Sequence, residues 1–322
     1  MGRYRRPRRR SGARHTTPFR LHAAIEFPYY LPTHARRSQN HWKTIMCRLY
    51  GLQATHPTRV YCELLHVQNA MIAQAQRDKR GDANPHGWGV GAFKNGETWR
   101  RRQPDPAHHS EEYRTTALDT SALGLIAHLR RATVGEPCLQ NTHPFFDGTS
   151  LFAHNGHIDH FEEVQPRLLA YLPAHRREAI EGTTDTEHIF QLVLHEYEDH
   201  HAPTMIQALD DAIGHIRRWV ADSEAEDEGG LGLNLLWLRD GRLAGTRFDR
   251  TLWVRTRTGA DLCEFCGTHH HDPDDVDFRS VEVASERLTT RGWEPVPDES
   301  LFWVDDDFQF HTQPLRDCAP LD

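Results

Sequence analysis

The chain has 322 residues, of which 38% are apolar, 9% aromatic and 26% charged. This length and apolar content allow one large domain or two small ones with a substantial core, and they exclude a wholly disordered or collagen-like chain. No apolar run approaches eighteen residues, which excludes a predicted transmembrane helix, and six cysteines are too few for a disulfide scaffold.

The net charge of −8 is unevenly distributed along the chain. Residues 1–46 carry ten Arg, one Lys and one Glu, a net charge of +10. The remainder carries 27 basic and 45 acidic side chains, a net charge of −18. Because a strongly acidic body repels phosphate groups, we expect no nucleic-acid partner, and we expect no membrane partner.

The Arg-rich segment 1–46, which we expect to be disordered, fits several interpretations. An arm that binds nucleic acid or a membrane surface, and a transit peptide, both share its basic and acid-poor composition. A secretory signal is disfavoured because His22, Glu26 and two prolines interrupt the stretch after the arginines. In the remaining interpretation the segment is absent from the working protein, as a cleaved propeptide or through a misassigned start codon.

The first half of the chain after residue 46 predicts several strands and one helix. Apolar residues at helical spacing predict a helix over 60–76, and the Asn95-Gly96 pair predicts a hairpin turn. The predicted strands are 47–54, 87–93, 97–102, 123–128 and 150–153.

The second half predicts three helices and then a second group of strands. Thr184 is the expected N-cap of the second helix, and Glu187 has the spacing of a capping box. The predicted helices are 161–172, 184–197 and 206–220, and the predicted strands are 231–238, 242–248, 252–257, 280–284 and 301–304. The order of strands, helices and strands, with hairpins throughout, predicts an α+β fold in which helices cover two mainly antiparallel sheets.

Cys47 follows a methionine and is the first residue with catalytic potential. If Met46 starts the chain and is removed, Cys47 has a free α-amino group beside its thiol. Because an α-amine titrates near neutral pH, the two groups form a nucleophile and its general base. The alternative is a small buried hydrophobic residue.

Three further segments carry polar residues that suit a catalytic site. Arg130 follows a buried strand and could bind a carboxylate through two hydrogen bonds, or it could lie in a solvated basic turn. The Asn155-Gly156 pair could supply an amide and a backbone N–H to an oxyanion hole, or it could form a hairpin turn. Asp185 at a helix N-terminus could accept from a substrate ammonium, or it could only stabilise the helix dipole.

Taken in order, these segments resemble the class II glutamine amidotransferase domain of the N-terminal-nucleophile hydrolases, particularly stand-alone members such as the γ-glutamyl hydrolases of ergothioneine biosynthesis. The resemblance rests on six motifs over about 47–200 and on VASERLT and WEPVP further along. The six motifs are MCRLYG, HGWG, HLRRAT, NTHPF, HNG and TDTE. The resemblance implies a four-layer αββα sandwich spanning 47–322.

The resemblance also implies a role for each site residue. Cys47 would attack the γ-amide of glutamine or of a γ-glutamyl compound and form a thioester, with its α-amine as the base. Asn155 and Gly156 would hold the oxyanion. The remaining residues would bind or surround the glutamyl group: Arg130 the α-carboxylate, Asp185 the α-ammonium, and Thr133 and His154 the wall of the pocket.

Two departures from the family pattern shape the functional expectation. The nucleophile lies at position 47, so the extension must be absent for Cys47 to have an amine. The chain also ends soon after the sandwich would be complete, which favours simple amide hydrolysis, or ammonia supply to a separate partner protein, over a tethered synthase reaction. We expect a cytoplasmic enzyme without a cofactor.

A Cys-x-x-Cys segment followed by histidines does not belong to the family pattern. Cys263, Cys266, His269 and His271 are candidate zinc ligands, although no second matching pair follows. We expect an exposed His-rich loop without a metal there. The rival functional hypothesis is a catalytically silent protein of this fold that binds a partner or a metal through this loop.

Overall fold

A computed structural model describes Gly2 and residues 46–223, 230–259 and 262–316. The predictions for residues 1–45 lie outside the described residues, apart from Gly2. Among the described residues no helix has the length and apolar character needed to cross a membrane.

The first sheet has seven strands, and neighbouring strands run antiparallel in the order β11-β9-β10-β1-β4-β2-β3. Its strands are β1 (Arg48–Arg59), β2 (Trp88–Lys94), β3 (Glu97–Gln103), β4 (Ser121–Leu129), β9 (Trp253–Thr258), β10 (Arg279–Ala284) and β11 (Glu294–Pro295). The hairpin predicted around Asn95-Gly96 joins β2 to β3, and both turn residues have positive φ, at 55° and 80°. The central strand β1 is buried over most of its length.

The second sheet has six strands, also antiparallel, in the order β13-β12-β8-β7-β6-β5. Its strands are β5 (Phe145–Phe146), β6 (Ser150–Ile158), β7 (Leu231–Arg239), β8 (Arg242–Arg247), β12 (Ser300–Val304) and β13 (Phe310–Pro314). A hairpin around Asp240-Gly241 joins β7 to β8. The short β5 covers only the first part of β6, which leaves the end of β6 as a sheet edge.

The helices lie on the outer faces of the two sheets. They are α1 (Met71–Gln76), α2 (Glu111–Asp119), α3 (Phe161–Tyr171), α4 (Ala174–Glu178), α5 (Asp185–Leu194) and α6 (Met205–Ala221). Two π-helical turns, Cys62–His66 and His195–Asp199, and one 3₁₀ turn, Ala107–His109, complete the helical segments.

Three buried apolar clusters separate four layers. One cluster packs α1 and α2 against the first sheet, a second fills the space between the sheets, and a third packs α3, α5 and α6 against the second sheet. Side chains of alternate residues on β1 enter different clusters, because Leu49 faces the second sheet and Tyr50 faces the helices. The predicted α+β fold with an αββα arrangement is confirmed.

The prediction of one helix over 60–76 is wrong. A π-helical turn ends at His66, Val67 has an extended backbone with φ −61° and ψ 160°, and α1 begins only at Met71. Asn69 lies in the break, where its backbone N–H donates to Leu288 O at 3.3 Å and its side chain donates to Glu286 Oε2 at 3.1 Å. These long-range bonds replace local helical ones.

The start of α5 confirms one half of its predicted cap. Thr184 Oγ1 accepts the Glu187 backbone N–H at 3.3 Å, as an N-cap does. The Glu187 carboxylate instead accepts the backbone N–H groups of Glu181 at 3.1 Å and Gly182 at 2.6 Å. It therefore fixes the segment that leads into α5, and the predicted capping box does not form.

Buried histidines predict how stability depends on pH. His128 is fully buried and donates through Nε2 to His154 O at 3.2 Å, and burial lowers the pKa of His128 to about 3. The unfolded chain therefore binds more protons below pH 6.5, and stability falls as pH drops from 6.5 towards 3, by about 1 kcal/mol per pH unit for this residue. Urea unfolding of His128→Gln between pH 7.5 and 5 should show a smaller slope than the parent. The exposed His109→Gln should keep the parent slope, and an unchanged slope in His128→Gln would contradict the prediction.

Candidate active site

Cys47 lies immediately before β1, where strand pairing brings it to the residues that follow β4. Arg48 is opposite Leu129, so Cys47 is level with the Arg130–Arg131 segment. Cys47 Sγ accepts the Arg131 backbone N–H at 3.3 Å and lies 3.4 Å from Arg131 O. Burial raises the pKa of the Cys47 thiol, and the Arg131 N–H and the charge of Arg130 act in the opposite direction.

A buried arginine fixes the backbone around Cys47. Arg48 has no exposed surface, and its guanidinium donates to Met46 O at 3.2 Å and to Cys47 O at 2.9 Å. It also pairs with Asp78 and, at 3.0 Å, with Glu286. Because both carboxylates are largely buried, the pairing compensates for the burial of the charge and leaves little freedom to the peptide groups on either side of the thiol.

Arg130 is buried, so it does not lie in a solvated basic turn. Its guanidinium donates to three successive carbonyl oxygens, those of Val134 at 2.8 Å, Gly135 at 2.9 Å and Glu136 at 3.2 Å. These bonds shape the loop after β4 around the arginine. The guanidinium is thereby held in one orientation, and burial lowers the pKa of Arg130, while the charge of a Cys47 thiolate would act in the opposite direction.

An open pocket of about 600 Å³ lies beside this loop. Its lining includes the exposed Thr133 together with His86 and Thr183. His86 Nδ1 accepts the Ala132 backbone N–H at 2.9 Å, which requires an unprotonated Nδ1, and burial lowers the pKa of His86. The HGWG motif thus supplies one wall of the pocket.

Asn141 from the NTHPF motif connects two sides of the pocket. Its Nδ2 donates to Glu136 O at 3.0 Å and to Thr183 Oγ1 at 3.1 Å, and its Oδ1 accepts the Thr183 backbone N–H at 2.8 Å. The loop after β4 and the segment before α5 are therefore held together by one buried amide. No role for Asn141 was predicted from the sequence.

Asn155 and Gly156 lie within β6, opposite Asn234 and Leu233 of β7, and they do not form a hairpin turn. Asn155 Nδ2 donates at 3.2 Å to Ser285 Oγ, which also accepts the Leu49 backbone N–H at 3.0 Å. The Asn155 amide is therefore one hydrogen-bonded side chain away from the strand that begins after Cys47. Ser285, in the VASERLT segment, was not predicted as a site residue.

The Gly156 N–H points to the open edge of β6. Leu233, which is paired with Gly156, directs its own N–H to Phe248 O on the β8 side at 3.1 Å, so the Gly156 N–H points away from β7. Ile158, two residues on, points the same way and donates to Asp185 Oδ2 at 3.1 Å. A Cβ at Gly156 would lie 1.9 Å from Gly232 O, so this close approach requires glycine.

Asp185 and His154 are both buried where α5 meets β6. Asp185 Oδ1 accepts the Thr186 backbone N–H at 2.7 Å, and the charge of Asp185 raises the pKa of the Cys47 thiol. His154 donates through Nε2 to Gly232 O at 2.7 Å, and its Nδ1 lies 3.0 Å from Thr186 Oγ1. Both ring nitrogens of His154 therefore have partners, one on β7 and one on α5, and the ring lies behind the edge of β6 that carries Gly156.

The structure brings the predicted site residues to one end of the two sheets. Cys47, Arg130 and Thr133 come from the first sheet and its following loop, and Asn155, Gly156 and Asp185 come from the second sheet and α5. The candidate metal ligands lie elsewhere, beyond the other end of β1. Cys263 and Cys266 meet Cys62 and His270 there, whereas His269 and His271 are not in the cluster.

The sequence of this chain matches a known protein family. The profile of the family "Glutamine amidotransferases class-II" matches residues 46–303. A probable glutamine amidotransferase of Saccharomyces cerevisiae, DUG3, is 25% identical over 80% of this chain and 82% of its own length. The gamma-glutamyl-hercynylcysteine sulfoxide hydrolase of Mycobacterium tuberculosis is 29% identical over 71% of this chain and 79% of its own.

Solved structures support the same fold. A glutamine aminotransferase class-II domain protein from Silicibacter pomeroyi superposes with a TM-score of 0.57 at 17% identity, over 84% of this chain and 99% of its own. A predicted glutamine amidotransferase from Pseudomonas aeruginosa superposes with a TM-score of 0.52 at 20% identity, over 80% of this chain and 96% of its own. With the profile covering most of the sequence, the chain belongs to the class II glutamine amidotransferases, a family of enzymes.

Proposed function

We propose that this enzyme hydrolyses the γ-amide bond of a γ-glutamyl compound through a thioester on Cys47. The observation that carries the proposal is the position of the Cys47 thiol, fixed by Arg48 and Arg131 next to Arg130. The relative from Mycobacterium tuberculosis, whose printed name is that of a γ-glutamyl hydrolase, supports hydrolysis over ammonia supply to a separate protein. Release of glutamate and of ammonia or an amine from glutamine and γ-glutamyl peptides, by the chain that begins at Cys47, tests it.

The proposed reaction consumes one water molecule and returns the enzyme unchanged. The α-amine of Cys47 takes the proton of the thiol as the sulfur attacks the γ-carbonyl carbon, and the C–N bond then breaks as the resulting ammonium gives that proton to the leaving nitrogen. Water attacks the resulting thioester, which releases glutamate and restores the thiol. A free α-amine at Cys47 is required for both proton transfers.

Asn155 and Gly156 are the proposed oxyanion hole. The Gly156 N–H points to the open edge of β6, and the Asn155 amide is anchored through Ser285 to the strand that follows Cys47. We propose that the amide turns from Ser285 to the oxyanion as negative charge develops on the γ-carbonyl oxygen. The Gly156 N–H is fixed by the strand, and the Asn155 amide needs only a rotation of its own side chain to stabilise that charge.

Replacement of Asn155 with alanine is expected to lower kcat by about 10²–10³-fold with little change in KM, because the lost donor acts on the transition state. Initial-rate kinetics on glutamine measure this effect. Asn95→Gly, in the β2–β3 turn where Asn95 has φ 55°, is the control and should keep the parent kcat. A kcat within threefold of the parent in folded Asn155→Ala would contradict the assignment.

Arg130 and Asp185 are the proposed contacts to the amino-acid end of the substrate. The guanidinium of Arg130 is held beside the pocket by the loop carbonyls, and it offers the positive charge that an α-carboxylate requires. The Asp185 carboxylate is buried near the thiol, a position that suits an α-ammonium. Thr133 and His154 shape the pocket, Thr133 from its lining and His154 from behind β6.

Substitution of Asp185 by asparagine tests the ammonium contact. Loss of a charge-assisted hydrogen bond is expected to lower kcat/KM for glutamine by about 10–100-fold. N-acetylglutamine has no ammonium, so its already low kcat/KM should change little. Asp210→Asn, another buried helix carboxylate that pairs with Arg316, should leave the ratio between the two substrates unchanged. Equal losses for both substrates in Asp185→Asn would mean that the carboxylate only supports α5.

A further inference from the structure

We propose that Cys62, Cys263, Cys266 and His270 bind one Zn²⁺ ion in a structural site. One ligand atom from each of the four residues lies within 4.8 Å of all the others. Tetrahedral zinc with bonds of about 2.3 Å to sulfur and 2.0–2.1 Å to nitrogen separates its ligand atoms by about 3.5–3.8 Å. The distance from Cys266 Sγ to His270 Nε2 is 3.5 Å, which matches the separation expected for two zinc ligands.

The Cys-x-x-Cys segment folds into a tight turn that directs its two thiols to one point. Cys263 O accepts the Gly267 N–H at 2.9 Å, and the Cys263 N–H donates to Thr268 O at 2.9 Å. Gly267 has a φ of +69°, in the left-handed region that favours glycine. The Thr268 hydroxyl lies 3.0 Å from Cys266 Sγ, where it can donate to a thiolate.

The fourth ligand has the supporting carboxylate that metal-binding histidines usually have. His270 is buried, and its Nδ1 lies 3.5 Å from Glu63 Oε2. A proton on Nδ1 directed to Glu63 leaves the Nε2 lone pair for the metal, on the side that faces Cys266. Glu63 follows Cys62 in the chain and is held from its other side by Arg255, at 3.5 Å.

The chemistry of the donor set selects zinc and a structural role. Three thiolates and one imidazole suit Zn²⁺, and four protein ligands leave no open position for a substrate. Binding releases the thiol protons to solvent. The ion would join the π-helical turn after β1 to the β9–β10 connection, some 200 residues later. The strand β1 separates this site from Cys47 by on the order of 30 Å, so zinc takes no part in amide hydrolysis.

From the sequence we expected no metal in this loop, and two of the four candidate ligands were other histidines. His269 and His271 follow the Cys-x-x-Cys turn, but His271 directs Nδ1 to Asp272 O at 2.9 Å and stacks on Phe278. Cys62 was not among the candidate ligands. The fold brings Cys62 to the turn because the segment after β1 packs beside the β9–β10 connection. Cys62, Cys263 and Cys266 all take part in the apolar cluster that packs α1 and α2 against the first sheet.

Metal analysis of the full chain, purified under reducing conditions without added chelator, tests the site. Elemental analysis should find one zinc per chain, and zinc-edge X-ray absorption should fit three sulfur atoms at about 2.3 Å and one nitrogen at about 2.0–2.1 Å. Zinc below about 0.1 per chain, with no sulfur-to-metal absorption band on titration with Co²⁺, would overturn the proposal. A mass two daltons lower than that of the reduced chain, without metal, would overturn it in favour of a disulfide.

Neighbouring residues provide matched variants for the same assay. His270→Ala and Cys266→Ser should each lose most of the zinc, whereas His269→Ala and Cys138→Ser should retain one ion per chain. Equal zinc in all four variants would mean an adventitious ion and overturn the proposal. Where a ligand variant is insoluble, the absorption spectrum and the Co²⁺ titration of the parent chain decide, because neither depends on a variant. The proposed hydrolysis at Cys47 does not use the zinc ion, so failure of the zinc proposal would leave the proposed function standing, and the reverse also holds.

Discussion

Substitution of Cys47 by alanine, in a chain that begins at residue 47, is expected to reduce amide hydrolysis by about 10⁴-fold or more. The thiol is the only group in the proposed mechanism that forms a covalent bond to the substrate, and the remaining residues act on the species that it creates. Loss of the nucleophile in such a unit costs nearly the whole rate enhancement of the covalent pathway. Ammonia and glutamate release from glutamine measures the effect.

The result separates the enzyme from the rival hypothesis of a silent binding protein on the same fold. Alanine removes only the sulfur, and the hydrogen bond from Arg48 to the carbonyl oxygen of residue 47 does not involve it. The variant is therefore expected to keep the parent melting temperature. Cys138→Ala, at another partly buried cysteine, is the matched control and should keep full activity. Equal background rates in the parent and in Cys47→Ala would support the silent protein.

Local sequence patterns predicted most strands, because alternation of apolar residues and turn pairs such as Asn95-Gly96 act within a few residues. They failed where long-range pairing outweighed a local preference. Asn155-Gly156 has the composition of a hairpin turn, yet β6 continues through it because nine residues of β6 pair with β7. The helix α2 was missed because only Tyr113, Thr116 and Ala117 of its nine residues are buried, too few for a clear period.

The candidate site shows the same division. Cys47, Arg130, Asn155 and Asp185 stand in ordered motifs, and such motifs can be identified without coordinates. The residues that fix them pair across long separations: Arg48 meets Glu286 across 238 positions, and Asn155 meets Ser285 across 130. The sequence around a charged or hydroxyl side chain does not indicate which distant residue will become its hydrogen-bond or ion-pair partner. His270 and Cys62 are a further case, since a third cysteine 201 positions away cannot be distinguished from an isolated one.

The peptide bond between Met46 and Cys47 decides whether the proposed base exists. With Met46 attached, the Cys47 nitrogen is an amide and cannot accept the thiol proton. Burial raises the pKa of the Cys47 thiol. Removal of residues 1–46 would create an amine that can accept the thiol proton, and this change favours the thiolate.

We therefore expect the chain that begins at Cys47 to exceed the uncleaved 322-residue chain in kcat/KM by about 10²–10⁴-fold, the usual contribution of a positioned general base. Intact mass before and after the assay identifies which chain is present, and alkylation of Cys47 by iodoacetamide, followed on its own peptide, should be faster in the shorter chain. A chain with a single alanine before Cys47 is the decisive control. This chain lacks the basic extension, but its Cys47 nitrogen is an amide and not an amine. Low activity in it would therefore assign the effect to the α-amine of Cys47 and not to the +10 charge of residues 1–46. Full activity in a chain proven to be uncleaved would exclude the α-amine of Cys47 as the base.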